Sequence, residues 1–170
     1  MTKAKKWGYL SFFFLLFSSA GLWAQGQIAY VDTDEVITAM PDYKTTQKSL
    51  ETFQEKLVQE LEEEKRAIAK YYTGVIEQVK LGTITPKQQQ EAEAKLQKMQ
   101  TDLQLKTNQA DQRLLDKEKS LTAPLYQQFE EALAAVAKKN SYSYILDKKL
   151  MLYSGGGIDA TEQMKKQLGM

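Results

Sequence analysis

Between Lys65 and Lys87 five cations, Lys65, Arg66, Lys70, Lys80 and Lys87, stand against a single acid, Glu77. Tyr71, Tyr72, Ile76 and Ile84 are interleaved with them. Exposed charge and apolar surface of this kind attract and hold other molecules; they neither make nor break bonds. Bond-making chemistry has little to draw on elsewhere. The chain contains Cys 0 and His 0, which removes thiol nucleophiles, disulfides, thiolate metal sites and the commonest general base. The acids Glu60, Glu62, Glu63 and Glu64 crowd one helix, and carboxylates so arranged cannot wrap a hard cation that wants six or more oxygens. Gly155-Gly156-Gly157 lacks the Lys-Ser/Thr pair of a phosphate loop, since Ile158-Asp159 follows. No catalytic residue, metal site or cofactor is expected, and the chain is not read as an enzyme.

The basic cluster has an ordinary reading as well. Charge runs on helices are usually solvated, and Tyr71 falls on a packing stripe. The cluster counts as a collective, sticky and positive rim rather than as single contacts.

The elements that would carry this rim are long helices. Apolar residues recur three or four apart at Phe53, Leu57, Leu61, Ile68, Tyr71, Val75 and Val79, a narrow stripe on one helix. Gly82-Thr83-Ile84-Thr85-Pro86 breaks it: Gly82 suits a C-terminal cap, Thr85 an N-cap, Pro86 the first helical position and Gln88 the capping-box partner. A second stripe runs through Ala92, Leu96, Met99, Leu103, Ala110, Leu114, Leu121, Leu125, Phe129, Leu133 and Val136. Glu91/Lys95 and Asp102/Lys106 form acid-first surface pairs on it, and Glu62 supports Arg66 on the first helix. The second helix is expected to reach about 80 Å at ~1.5 Å per residue, with a kink from Pro124 near Leu121–Leu125. A short loop forces the two helices antiparallel. Facing residues then have position numbers summing to about 167, as Tyr71 with Leu96 or Val75 with Ala92, although a register three residues away also aligns the stripes.

Both ends of this hairpin look β-forming. Ile28–Asp32 reads as a strand, followed by a short helix from Thr33 or Asp34 to Met40 that Pro41 ends or bends. Tyr142–Asp147 and Leu150–Tyr153 read as a hairpin turning at Lys148-Lys149. A final helix is expected with Asp159 as N-cap, Glu162 as capping-box partner, and Met164 and Leu168 buried. Short strands with bare edges are covered economically by neighbouring subunits, so the chain is expected to oligomerise through Ile28, Tyr30, Val31, Tyr144, Ile145, Leu146, Leu152 and Tyr153. The fold class is α+β, mainly α: a long helical hairpin arm, residues 49–121, on a small β-containing body, residues 25–48 and 122–170.

Residues 1–24 read as a secretory signal. Lys3, Lys5 and Lys6 precede an apolar run over Trp7–Phe17, too short to cross a bilayer, and cleavage fits after Ala24 or Ala20. Removing three lysines leaves 20 basic against 22 acidic residues, a near-neutral exported chain with no stable membrane insertion and no global charge for nucleic acid.

These residues together, namely the strand Ile28–Asp32, the small helix, the hairpin arm, Ala135–Lys139 (Ala-Val-Ala-Lys-Lys), Tyr144-Ile145-Leu146-Asp147, the Tyr-ending strand and Asp159-Ala160-Thr161, resemble the Skp/OmpH family of periplasmic chaperones. The resemblance covers nearly all of the mature chain. It implies a jellyfish-like homotrimer whose joined β segments form a body and whose arms enclose a cavity. Unfolded outer-membrane proteins would be held there without ATP, in the periplasm. Well-known members are clearly basic, whereas this chain is not, so electrostatic capture of acidic clients or lipopolysaccharide does not follow for the whole protein; contact with lipid or lipopolysaccharide stays open at the positive arm tip. A structural coiled-coil adaptor or spacer of the envelope is the alternative reading of the same helices.

Overall fold

The computed structural model describes residues 27–170, so the expected signal over residues 1–24 lies outside the described residues. Strand β1 (Gln27–Val31) and helix α1 (Thr33–Ala39) open the body. Asp32 caps α1, its side chain accepting from the Glu35 N–H at 3.1 Å. Pro41 ends α1 and also supplies the first turn of α2 (Pro41–Lys80), with only Met40 between the two helices. After the turn at Leu81–Thr85, α3 runs over Pro86–Asn140. Gly82 adopts φ 64, and Thr85 and Gln88 form the expected reciprocal capping box. The helix continues unbroken through Pro124. The Ser120 carbonyl left without a donor there belongs to an exposed residue and is open to water.

Cross-helix contacts fix the register. Lys95 lies over the Tyr71 ring and Arg113 over that of Phe53, Arg113 pairs with Glu60 at 2.9 Å, and Lys106 pairs with Glu64. The position numbers of these pairs total 166 or more, which favours the 167 register over one three residues lower. Long cations bridging the groove also explain why two expected surface pairs do not form. Lys106 leaves Asp102 for Glu64, and Lys95 leaves Glu91 for Tyr71, while Glu91 stands 4.0 Å from Lys87. Glu62 likewise takes Lys65, at 2.8 Å, where Arg66 is expected.

The sheet departs from the expected hairpin. Strand β2 (Tyr142–Asp147) ends in a 3-10 turn over Lys148–Leu150, and Leu150–Tyr153 is not a strand. The third strand is β3, Ile158–Asp159, and the order β2-β1-β3 is parallel throughout. Two local causes act here. A tight hairpin needs residues tolerant of positive φ at its centre, and Lys148-Lys149 offers none. Asp147 instead accepts from the Lys149 N–H at 2.8 Å, while Lys148 is drawn to Asp32 at 3.2 Å and Lys149 to Asp34. The chain is thereby turned off the sheet and returns only after Gly155-Gly156-Gly157.

Helix α4 (Thr161–Gln167) closes the body. Its expected capping box is absent: Ala160 occupies the cap, Asp159 accepts from the Thr161 N–H at 2.9 Å, and Glu162 reaches Lys165. Met164 is fully buried and Leu168 packs against the core. That core joins Ala29, Val31, Val36, Phe129, Ala132, Val136, Ala160 and Met164. All of its members lie in the body, at the end of the molecule far from the turn of the arm.

Asp159-Ala160-Thr161 is the clasp that ties the C-terminal segment to β1. The Ala160 N–H donates to the Tyr30 carbonyl at 2.8 Å, and the Asp32 N–H donates to the Thr161 hydroxyl at 3.0 Å. Thr161 is buried. Thr161→Val keeps the shape and leaves the Asp32 donor without its acceptor, so we expect a loss of about 1–3 kcal/mol, read as a lower urea midpoint at unchanged slope.

Acid should loosen the same region. Hydrogen bonds from the Glu35 backbone and Lys148 hold the Asp32 carboxyl below its usual value of 3.8, and those from Thr161 do so for Asp159. A depressed carboxylate contributes stability in full above that usual value and loses it as pH falls through the lower folded value. The urea midpoint should therefore be flat down to about pH 5 and fall steadily below about pH 4, and Asp32→Asn should flatten that fall.

Candidate functional site: the arm tip and the open sheet face

The nine residues expected at the arm tip do not form one patch. Lys70, Tyr71 and Ile84 line a cleft on one flank of the hairpin, with Gly74, Ala92 and Lys95. Lys65 and Tyr72 lie on another flank, against Ile68, Leu96 and Leu103. The two flanks differ because residues one apart on a helix point about 100° apart; adjacent Tyr71 and Tyr72 are the clearest case. Tyr71 is half-buried under Lys95, 4.5 Å from ring centroid to ammonium, whereas Tyr72 is 53% exposed. Ile76 is partly exposed, and Ile84 tucks under the turn.

The positive rim is narrower than the sequence suggests. Lys65 and Lys87 pair with Glu62 and Glu91 from just outside the counted window. Arg66, Lys70 and Lys80 stay without a carboxylate within 4.0 Å among the described residues, and across the hairpin Lys95 joins them. Lys95 was not among the expected site residues. The signal for it lay in the register, which sets position 95 opposite Tyr71 and Tyr72.

The sheet presents its other face to solvent. Ala29 and Val31 point into the core, while Ile28 (51%), Tyr144 (66%) and Leu146 (44%) are exposed on the opposite side. Ile28, Tyr30, Leu146, Met151 and Tyr153 converge on a shallow groove floored by Gly155–Gly157. A Cβ on Gly157 would stand 3.1 Å from the Tyr30 ring, a tight contact that the ring could meet only by shifting a few tenths of an ångström. Of the eight residues expected to join subunits, Val31 and Ile145 turn toward the chain's own core instead. Leu152 and Tyr153 lie off the sheet and are almost wholly exposed. The body thus leaves a run of large apolar side chains, Ile28, Tyr144, Leu146, Leu152 and Tyr153, exposed.

A collar of ion pairs braces the rim of this body. Lys165 sits between Glu162 at 2.9 Å and Glu35 at 2.5 Å, and both carboxylates raise its pKa above the ordinary lysine value. With Asp32–Lys148 and Asp34–Lys149 these contacts bind α1 to α4 and to the turn after β2. Sequence spacing gave no signal for the long-range pairs of the collar, whose partners are more than a hundred positions apart; only Glu162 and Lys165, three apart on α4, are local. Among the described residues no helix is long and apolar enough to cross a membrane.

The described residues thus form a small body with one bare sheet face, from which a long antiparallel helical arm extends. The family model for outer membrane protein (OmpH-like) matches residues 27–168. The chain belongs to that family. A solved structure of an OmpH-like candidate outer-membrane chaperone from Caulobacter crescentus CB15 shares the fold with a TM-score of 0.71, over 85% of each chain at 17% identity. No curated protein matches this sequence.

Proposed function

We propose that this protein is an ATP-independent holdase of the periplasm, which keeps unfolded outer-membrane proteins from aggregating by enclosing them between the arms of a homotrimer. It performs no catalysis and binds no nucleic acid in this reading. The observation that carries it is the separation of two surfaces: a bare apolar sheet face on the body, suited to a second copy of the chain, and a distributed apolar and cationic surface on the arm, suited to a client. Membership of the OmpH-like family supports the reading. A grip spread over many marginal contacts suits a holdase, since few-hot-spot binding would release a client slowly.

Lipid or lipopolysaccharide would meet the same cations, Arg66, Lys70, Lys80 and Lys95, and would compete with clients there. The test is direct: purified mature protein is added to a urea-denatured outer-membrane barrel protein on dilution, and light scattering is followed without nucleotide. Suppression at stoichiometric ratio supports the holdase. Unchanged aggregation favours an envelope spacer built on the same arm.

Charge at the tip should govern encounter more than final affinity. Replacing Lys65, Arg66, Lys70, Lys80 and Lys87 together by Gln is expected to slow client capture several-fold at low salt. Little difference should remain at physiological ionic strength, where screening acts over ~8 Å. Stopped-flow capture of a labelled client at two salt concentrations reads this out.

A further inference from the structure

The arm is not evenly packed. Near its tip the stripes set Val75 opposite the small Ala92, with the exposed Gly74 beside them, and a Cβ built at Gly74 meets nothing within 4 Å. Paired helices normally fill the space between them with interdigitating side chains. Here the small residues leave a cleft of about 760 Å³, within the range of sites that bind small ligands. Ala92 is buried among its lining residues, Tyr71, Val75 and Ile84 give it an apolar strip, and Gln78, Thr83 and Gln88 make the rest of its wall polar. At its mouth stand Lys70 and Lys95, neither with a carboxylate within 4.0 Å among the described residues, Lys95 lying over the face of Tyr71. An apolar strip between the helices with two cations beside it, neither held by a carboxylate, complements one kind of occupant.

We infer that this cleft is a docking notch for a client segment in which a large apolar side chain is flanked by acidic residues: the apolar group enters between the helices over Ala92 and Gly74, and the carboxylates meet Lys70 and Lys95. The inference rests on the holdase reading and narrows it from a diffuse surface to one preferred contact per arm. It also accounts for unpaired cations in a chain that is near neutral overall, because selectivity for acid-flanked segments needs local charge only.

The test uses the full mature chain and fluorescence anisotropy of two labelled Gly-Ser peptides, one carrying Phe between two Asp, the other Phe between two Lys. The Asp peptide should bind about fivefold tighter, as expected of two exposed charge contacts of about 0.5 kcal/mol each. Lys70→Gln with Lys95→Gln should erase the preference. Gly74→Leu, which fills the notch, should weaken the Asp peptide at least as much. Gly74→Ala, which raises helix propensity and leaves the space open, should not.

Equal binding of both peptides by the unaltered chain would overturn the proposal, as would a Gly74→Leu variant that melts higher and binds as before, since the space would then be loose packing only. Displacement by vesicles of phosphatidylglycerol, with no peptide preference, would assign the cations to lipid and overturn it too. Failure of the notch is distinguishable from failure of the holdase: if Gly74→Leu still keeps a denatured barrel protein soluble, the arms hold clients elsewhere. If the unaltered chain selects the Asp peptide yet protects no barrel protein, the notch stands and the holdase falls.

Discussion

Excising Leu61–Lys106 and joining Glu60 to Thr107 through a short Gly-Ser turn is expected to abolish protection of an unfolded client while leaving the subunit association intact. The body can survive the cut because none of its core residues, from Ala29 to Met164, lies in the removed segment. Enough of the hairpin stays to close it. Leu57 and Ala110 are buried, Arg113 bridges Glu60, and Arg113 and Lys117 cover the Phe53 ring. What leaves is the tip with Arg66, Lys70, Lys80, Lys95 and Lys98, none with a carboxylate within 4.0 Å among the described residues, both flanking clefts and most of the arm's exposed apolar surface, including Tyr72, Ile76, Val79 and Leu81. Circular dichroism should fall only by the helix removed, and sedimentation should give the same number of subunits. Aggregation of a diluted barrel protein should proceed as if no protein had been added.

Leu146→Glu is expected to have the opposite signature, dispersing the subunits while leaving each one folded. Leu146 pairs in the sheet with Tyr30 and is 44% exposed on the bare face, outside the core cluster. A carboxylate there is harmless in a solvated monomer. Buried between copies it carries a desolvation penalty of several kcal/mol for each charge. Since a 1.4 kcal/mol loss is tenfold in affinity, the assembly should fall apart at micromolar concentration. Analytical ultracentrifugation gives the mass, and an unchanged urea midpoint for the isolated chain separates dissociation from unfolding. A variant that keeps the parent's mass would move the subunit contact elsewhere, to Leu152 and Tyr153 first, which are barer still.

The helical part of this fold was open to reading because each signal was local. Gly82, Thr85, Pro86 and Gln88 sit within one turn, and their geometry depends on neighbours alone. The stripes of α2 and α3 announced the hairpin in the same way, and the residues they marked as inward, Leu57, Ala92 and Ala110, are the buried ones. The body was harder because long-range contacts decide it. Lys148-Lys149 looks like a turn between strands, yet in the structure the two lysines pair with Asp32 and Asp34, some 116 positions away, and the chain leaves the sheet there. Asp159 carries the pattern of an N-cap, but Thr161 is engaged by the Asp32 backbone and the cap moves to Ala160. At the arm tip the expected residues lie on α2 and α3, with Ile84 in the turn between them, and the division of Tyr71 from Tyr72 follows from helical geometry. Lys95 needed a settled register before it could be assigned.

Whether the arms of this chain hold unfolded outer-membrane proteins is read out in a single aggregation experiment. A urea-denatured barrel protein is diluted into buffer with the mature chain at stoichiometric ratio, without nucleotide, beside the arm-shortened form at equal concentration, and light scattering is recorded. The account predicts a flat trace with the full arm and full aggregation with the short one. Equal protection by both forms, or by neither, would contradict it.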